Sequence, residues 1–148
     1  MTTKQQLLQE CHARVDKRIN DYKEEINLLK EAIADNDKVD SESEDGSGSK
    51  LLDDLEKNIA YLNDAQNMKE QLKLVKTNIL SDNVVLGSAV KTNIMNFYIA
   101  VSSGKIELET ETYYAISLSS PIGQLLKNKT AKDSFTFNNN HYVINEII

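Results

Sequence analysis

An apolar heptad repeat over the first forty residues is the feature that most constrains the fold of this chain. The repeat begins near residue 8, and Thr3 and Gln6 are spaced as a capping box ahead of it. Such a repeat predicts a long helix of coiled-coil type. Its two seam positions are occupied by His12, Ile19, Ile26 and Ile33, and by Leu8, Val15, Tyr22 and Leu29.

A second apolar series predicts another long helix. Its steps of three and four residues shift the seam near residues 62–68. Between the two series, residues 34–49 lack apolar periodicity and end in a Gly/Ser run, with Ser49 as a plausible N-cap. We therefore expect residues 1–80 to form an antiparallel coiled-coil hairpin. The second series comprises Leu55, Ile59, Leu62, Ala65, Met68, Leu72, Val75 and Ile79.

After residue 80 the sequence changes to alternating, β-branched segments, which predict a bent sheet. One short helix should interrupt the strands, with Ser120 as its N-cap and Pro121 in its first position. The predicted fold class is α+β, with a globular domain over residues 81–148. The predicted strands cover residues 84–90, 94–101, 105–109, 113–117, 134–138 and 142–148.

Most of the negative charge lies in one place, which we call the acidic bend (residues 35–49). The formal net charge is −6, and the bend contains six carboxylates and only one lysine before its Gly/Ser run. Most such charge runs are solvated loops. The spacing excludes an EF-hand, because glycine comes one position late and Leu51 stands where the last glutamate ligand belongs. The acidic balance also argues against a dedicated duplex-DNA binder.

The single cysteine, Cys11, excludes an internal disulfide and provides no metal-ligand spacing. We expect it to be a small buried hydrophobic residue. No signal peptide or membrane-spanning segment is evident, so the sequence predicts a cytoplasmic protein without membrane contact.

The segment ISLSSPIGQLLKNKTAKDSFTF, residues 116–137, with the closing YVINEII, resembles the C-terminal domain of the bacterial Gre transcript-cleavage factors. That domain has an FKBP-like fold, and the family's other domain is a coiled-coil hairpin. Two departures from the family pattern stand out. The sequence Ala131-Lys132-Asp133 lacks the glycine that usually precedes the aspartate, and the acidic bend is not the usual Asp-x-Ser-Glu-Asn.

The resemblance implies a monomeric accessory factor that inserts its hairpin into the secondary channel of RNA polymerase. It would not be an enzyme alone. Carboxylates of the bend would help to hold a second Mg²⁺, shared with the polymerase active site, for cleavage of backtracked nascent RNA. If one deletion is allowed, Asp40 aligns with the magnesium ligand and Glu42 with the residue that orients the attacking water. Glu44 and Asp45 could replace them.

Two further surfaces are candidates for contacts. The short helix and the turn after it should touch the polymerase, through Pro121, Gly123, Gln124, Lys127 and Lys129. Folding the hairpin near residue 43 should also gather a basic collar, which could face RNA phosphates or acidic polymerase surface. Ordinary ion pairing on the helices is the interpretation that we favour for the same residues. The collar comprises Arg14, Lys17, Arg18, Lys69, Lys73 and Lys76.

Two other functions remain open. The altered bend could regulate or block the polymerase from its channel without restoring cleavage. Alternatively, the hairpin could be a coiled-coil adaptor for a partner unrelated to polymerase.

Overall fold

The computed structural model describes residues 1–39 and 47–148, with the side chains of residues 1–36 and 48–148. The architecture is α+β, as predicted. Two long helices precede the six strands of one sheet, and one short helix lies between the fourth and fifth strands along the chain. The elements are α1 (Thr3–Val39), α2 (Ser47–Leu72), β1 (Ala89–Thr92), β2 (Asn96–Ile99), β3 (Gly104–Glu107), β4 (Thr112–Ile116), α3 (Pro121–Leu126), β5 (Ser134–Phe137) and β6 (Asn140–Ile147).

The chain forms two compact units. We call residues 15–69 the helical unit, and residues 1–14 with 70–148 the sheet unit. Helix α1 runs through both, so its first turns belong to the sheet unit and the rest to the helical unit.

In the helical unit, α1 and α2 are antiparallel. Lys69 pairs with Asp16, the Arg18 guanidinium lies 3.8 Å from the Met68 sulfur, and the rings of Tyr22 and Tyr61 are 5.6 Å apart. Across these three contacts the residue number on α2 falls as the residue number on α1 rises, which is the pattern of two antiparallel helices. The predicted seam residues Val15, Ile19, Ile26, Leu29 and Ala65 are all buried, which confirms the hairpin.

The second helix differs from the prediction at three points. It begins at Ser47, so Ser49 lies inside its first turn and is not the N-cap. Ile59 is exposed, and Asn58 is the partly buried residue at that level. The helix ends at Leu72, whereas the apolar series predicted that it would continue to Ile79.

Packing inside the sheet unit explains this early end. Val75 is buried, and its Cγ1 lies 3.6 Å from the position that a Cβ on Gly87 would occupy. The Lys76 carbonyl is only 2.8 Å from the same position, and Gly87 has φ +92°. The helix therefore ends at Leu72, because the backbone after it packs closely against residue 87, where only glycine leaves enough space.

The first turns of α1 use a different buried stripe from the predicted one. Lys4, Leu7 and Cys11 are buried, whereas Leu8 and His12 are only partly so. Cys11 is fully buried, as expected, and its sulfur lies 3.6 Å from the Ser103 hydroxyl. The capping box is also shifted by one residue: the Thr2 hydroxyl accepts from the Gln5 amide, and the Gln5 side chain accepts from the Thr2 amide.

The sheet has the order β3-β4-β2-β1-β6-β5, and its neighbouring strands are antiparallel except for β2 and β4. The first strand begins five residues later than predicted, at Ala89, because residues 84–88 form a loop that pairs with the turn after α3. Residues of β1, β2, α3, β5 and β6 build one core, which includes Val90, Phe97, Ile99, Leu126, Phe135, Tyr142 and Ile144.

Candidate functional site

The candidate catalytic carboxylates Asp40, Glu42, Glu44 and Asp45 lie outside the described residues. The structure does fix the elements on either side of them, because α1 ends at Val39 and α2 begins at Ser47. The side-chain nitrogen Nδ2 of Asn36 lies 3.3 Å from the position that a Cβ on Gly48 would occupy. The acidic residues therefore connect the adjacent ends of two antiparallel helices.

The predicted bend is also shorter than its sequence pattern suggested. Residues 35–39 continue α1, and residues 47–49 already belong to α2. An exposed helix can continue without apolar periodicity, since no glycine or proline interrupts it before residue 46. No group of three or more possible metal-ligating side chains occurs among residues 1–36 and 48–148.

Three residues of the predicted basic collar belong to the helical unit. Lys17 pairs with Asp21 at 2.6 Å, and Lys69 pairs with Asp16 on the facing helix. Arg18 has no carboxylate within 4 Å among the described residues, and its guanidinium donates only to the Met68 sulfur. Ion pairs within α1 and between α1 and α2 therefore neutralise Lys17 and Lys69, whereas Arg18 has no carboxylate partner among the described residues.

The other three collar residues belong to the sheet unit. Arg14 pairs with Glu10 at 3.4 Å and donates to the Ser103 carbonyl at 3.1 Å, and Lys73 pairs with Glu70 at 2.8 Å. Lys76 is exposed, and its ammonium makes no hydrogen bond or ion pair with the part of the chain that the structure describes. Arg14 thus helps to attach the first turns of α1 to the sheet.

Helix α3 begins as the sequence predicts. The Ser120 hydroxyl accepts from the Gly123 amide at 3.1 Å and donates to the Ser117 carbonyl at 2.7 Å, and Pro121 occupies the start of the helix. Gly123 is buried, and a Cβ there would lie 2.0 Å from the Ser117 oxygen. Gly123 was predicted to touch polymerase, but its burial does not leave it available as a surface contact. The lack of a side chain at this position lets the turn close.

The other residues proposed to touch polymerase lie at the surface of α3 and the turn after it. Pro121, Gln124 and Lys127 are exposed, and Lys129 is partly buried. Backbone hydrogen bonds from Asn128 to the Val84 carbonyl and from Val84 to the Lys129 carbonyl hold this turn against the loop before β1. The structure thus brings three of the proposed residues together on one short, fixed surface.

The departure from the Gre pattern at residues 131–133 has a visible structural counterpart. Lys132, which stands where the family usually has glycine, adopts a left-handed conformation with φ +77°. Asp133 accepts from the Thr130 amide at 2.8 Å and from the Thr130 hydroxyl at 3.1 Å, and these bonds lower the pKa of its carboxyl. The aspartate organises the turn before β5 and is not a free surface charge.

The architecture defines a class of α+β protein in which a helical hairpin carries acidic residues between its helices and a mixed sheet carries a capped short helix. No helix in the described ranges is long and apolar enough to cross a bilayer. We find no protein family whose model matches the sequence, and no curated protein is similar to it.

Solved structures that are similar to this chain include three of Gfh1. The transcription factor Gfh1 is 13% identical over 92% of each chain, with a TM-score of 0.39. Gfh1 of Thermus aquaticus is 15% identical over 91% of this chain and 92% of its own, with a TM-score of 0.36. GreA factor homolog 1 (Gfh1) of Thermus thermophilus is 15% identical over 93% of this chain and 94% of its own, with a TM-score of 0.36. At these values the comparisons assign no site residue.

Proposed function

We propose that this chain is a Gre-like accessory factor that acts in the secondary channel of RNA polymerase and stimulates cleavage of backtracked nascent RNA. The observation that carries the proposal is the antiparallel pair α1 and α2, whose adjacent ends are joined by Asp40, Glu42, Glu44 and Asp45. The sequence resemblance of residues 116–137 to the Gre factors supports it independently.

The length of the helical unit suits this role. From Val15 to the end of α1 at Val39, a rise of about 1.5 Å per residue gives a rod of about 37 Å. A rod of this kind can carry carboxylates into a narrow channel that a globular domain cannot enter. In this proposal residues 1–80 supply the chemistry, and residues 81–148 hold the polymerase.

The donor set in the bend fits magnesium, which prefers carboxylate and other oxygen ligands and keeps several waters. Asp40 would be the ligand that holds the ion jointly with the polymerase, with Glu42 beside it. In two-metal hydrolysis such an ion stabilises the attacking or the leaving oxygen. Glu42 would orient the attacking water, and Glu44 and Asp45 would take over these roles if the register shifts. The nuclease is then the polymerase, and this protein is its activator.

Attachment would reside in the surface of Pro121, Gln124, Lys127 and Lys129. The fixed turn supports this assignment, because a partner then meets a surface that needs no ordering on binding. The cations without an acidic partner, Arg18 and Lys76, are the collar residues best suited to extruded RNA phosphates. Lys17, Lys69 and Lys73 already pair with carboxylates and are therefore less suited to bind phosphates.

The decisive experiment measures release of short 3′ RNA fragments from a stalled, backtracked elongation complex across a magnesium titration. Asp40→Asn should weaken cleavage in a way that raised magnesium partly rescues, because the variant loses a metal ligand. Glu42→Gln should lower the maximal rate by about 10² to 10⁴-fold without such rescue, because a residue that orients water acts in the transition state.

Asp53→Asn is the matched control, since Asp53 is an exposed carboxylate on the described part of α2. It should cleave like the parent, and all variants should bind polymerase equally. If the bend variants, including one in which Glu44 and Asp45 are also neutralised, cleave like the parent, then the acidic bend is only a solvated loop.

The departure of the bend from Asp-x-Ser-Glu-Asn favours one second candidate, a regulator that occupies the channel without activating cleavage. The same assay separates the two. A parent protein that releases no fragments but slows elongation would be such a regulator.

A further inference from the structure

A surface cavity of about 380 Å³ lies in the sheet unit, between the start of α1 and the loop before β1. This volume is within the range of sites for small ligands. Its lining residues include the polar residues Thr2, Lys4 and Asn78 and the aliphatic residues Leu80 and Ile148. None of these residues takes part in the proposed polymerase function.

Lys4 is the unusual member of this lining. Only 8% of the residue is exposed, and its ammonium donates to the Ile79 carbonyl at 2.8 Å. No carboxylate lies within 4 Å of it among residues 1–36 and 48–148, and burial lowers its pKa. An ammonium has three donors, and the described contacts use one of them.

A buried cation without a counter-charge is costly, and an anionic ligand would remove that cost. The surroundings favour a negative group further, because the positive end of the 37-residue helix α1 begins at Thr3. The Thr2 hydroxyl accepts from the Gln5 amide, so its own proton remains available to a ligand.

The rest of the lining favours an aliphatic group. Leu80 is 89% exposed and lines the cavity, and Ile148 forms another part of its wall. A leucine this exposed gains free energy when an apolar group covers it. The chemistry of the cavity is therefore a cation with spare donors beside uncovered aliphatic surface.

We propose that this cavity binds a carboxylate that carries a short aliphatic group, with Lys4 holding the carboxylate and Leu80 covering the aliphatic part. Either a small aliphatic acid or the carboxyl terminus of a polypeptide that ends in an aliphatic residue has this chemistry.

The test uses the full chain and follows backbone amide signals by NMR during titration with hexanoate. Signals of residues 2–4 and 77–80 should move together and saturate. Hexanamide, which has the same size but no charge, should bind at least about tenfold more weakly, since its carbonyl can accept a hydrogen bond from the Lys4 ammonium but cannot form an ion pair with it. Equal binding of acid and amide, or shifts spread over the whole surface, would overturn the proposal.

Two variants assign the residues. Lys4→Met should weaken hexanoate binding by about 10- to 100-fold, the range expected for a hydrogen bond to a charged group. Leu80→Ser should weaken it by up to about tenfold and should leave the fold intact, because Leu80 lies outside the core. Lys105→Met is the control, since Lys105 is an exposed lysine paired with Glu107 in the same unit. A Leu80→Ser variant that binds hexanoate as the parent does would refute the assignment of Leu80.

A parallel titration with N-acetyl-glycyl-leucine distinguishes the two sources of the carboxylate. Tighter binding of this peptide than of hexanoate would identify a polypeptide terminus, and the reverse would identify a small acid. In both cases the amide of the tighter ligand must bind more weakly, or the proposal fails. None of these measurements involves RNA polymerase, so the result stands or falls independently of the cleavage function.

Discussion

Shortening the helical unit by one heptad in each helix should abolish cleavage and preserve binding to polymerase. The contacts between α1 and α2 define which residues to remove, because Asp16 meets Lys69 and Tyr22 meets Tyr61. Deleting residues 20–26 together with residues 59–65 removes facing segments and keeps the pair nearest the base of the hairpin. A seven-residue deletion changes the seam by only about 20°, so the remaining helices can still pair.

The expected effect follows from the geometry of a helix. Seven residues at about 1.5 Å per residue withdraw the acidic bend by about 10 Å. A bond from magnesium to oxygen is about 2 Å long, so a carboxylate displaced by that distance can no longer act as a ligand. The deletion also removes buried Ile26, which should cost the helical unit about 2 to 3 kcal/mol.

The assay compares fragment release and polymerase binding for the parent and the shortened protein, with helix content checked by circular dichroism. A control protein of full length, in which Tyr22 and Tyr61 are both replaced by leucine, changes the same region without moving the bend. It should cleave like the parent. Cleavage by the shortened protein at the parent rate would refute the idea that the end of the hairpin delivers the chemistry.

Three further predictions concern the sheet unit. Gly123→Ala should lower its free energy of unfolding by about 3 kcal/mol or more in thermal melts, because the added Cβ would lie 2.0 Å from the Ser117 oxygen; an unchanged melting temperature would contradict this. Lys132→Gly should raise the free energy of unfolding by up to about 1 kcal/mol, because glycine adopts a positive φ without strain. Asn128→Gly should raise it by less, because asparagine already tolerates a positive φ. Folding lowers the pKa of Asp133, so its contribution is present above the ordinary value of about 4 and is lost on acidification. The stability difference between the parent and Asp133→Asn, followed by thermal melts from neutral pH to about pH 2, should therefore shrink below pH 4; a constant difference would exclude this role.

The helical hairpin and the capped short helix could be predicted because their signals are local. The seam of α1 repeats with a fixed period through Val15, Ile19 and Ile26, and the cap at Ser120 depends on residues three positions apart. Both signals arise from the geometry of a single helix, which does not require knowledge of the remaining chain.

The features that were predicted incorrectly depend on contacts between distant segments. Helix α2 has an apolar series that continues past Leu72, and it ends early because Val75 and the Lys76 carbonyl pack at Gly87. The first turns of α1 bury Leu7 beside Cys11, whose burial was expected, where the heptad predicted Leu8 and His12. In each case packing within the sheet unit decided between alternatives that the local pattern left nearly equal.

The candidate sites divide in the same way. Gln124 and Lys127 are exposed, as a contact surface requires, and their contact with polymerase stays a prediction. The burial of Gly123 follows from a close backbone approach that the sequence does not display. Lys4 was not predicted at all. Its signal was its position, three residues before Leu7 and seven before Cys11 on one helix face, which places a lysine on a buried stripe.

The sheet unit is discontinuous in sequence, and this has a consequence for the order of events during synthesis. Its first fourteen residues leave the ribosome before any of its strands, and the strand that completes the sheet, β6, ends at Ile147. All of the helical unit is translated between these two parts. The nascent chain can therefore form the hairpin while Leu7 and Cys11 still lack the sheet that buries them, and the sheet unit closes only when translation of β6 is complete.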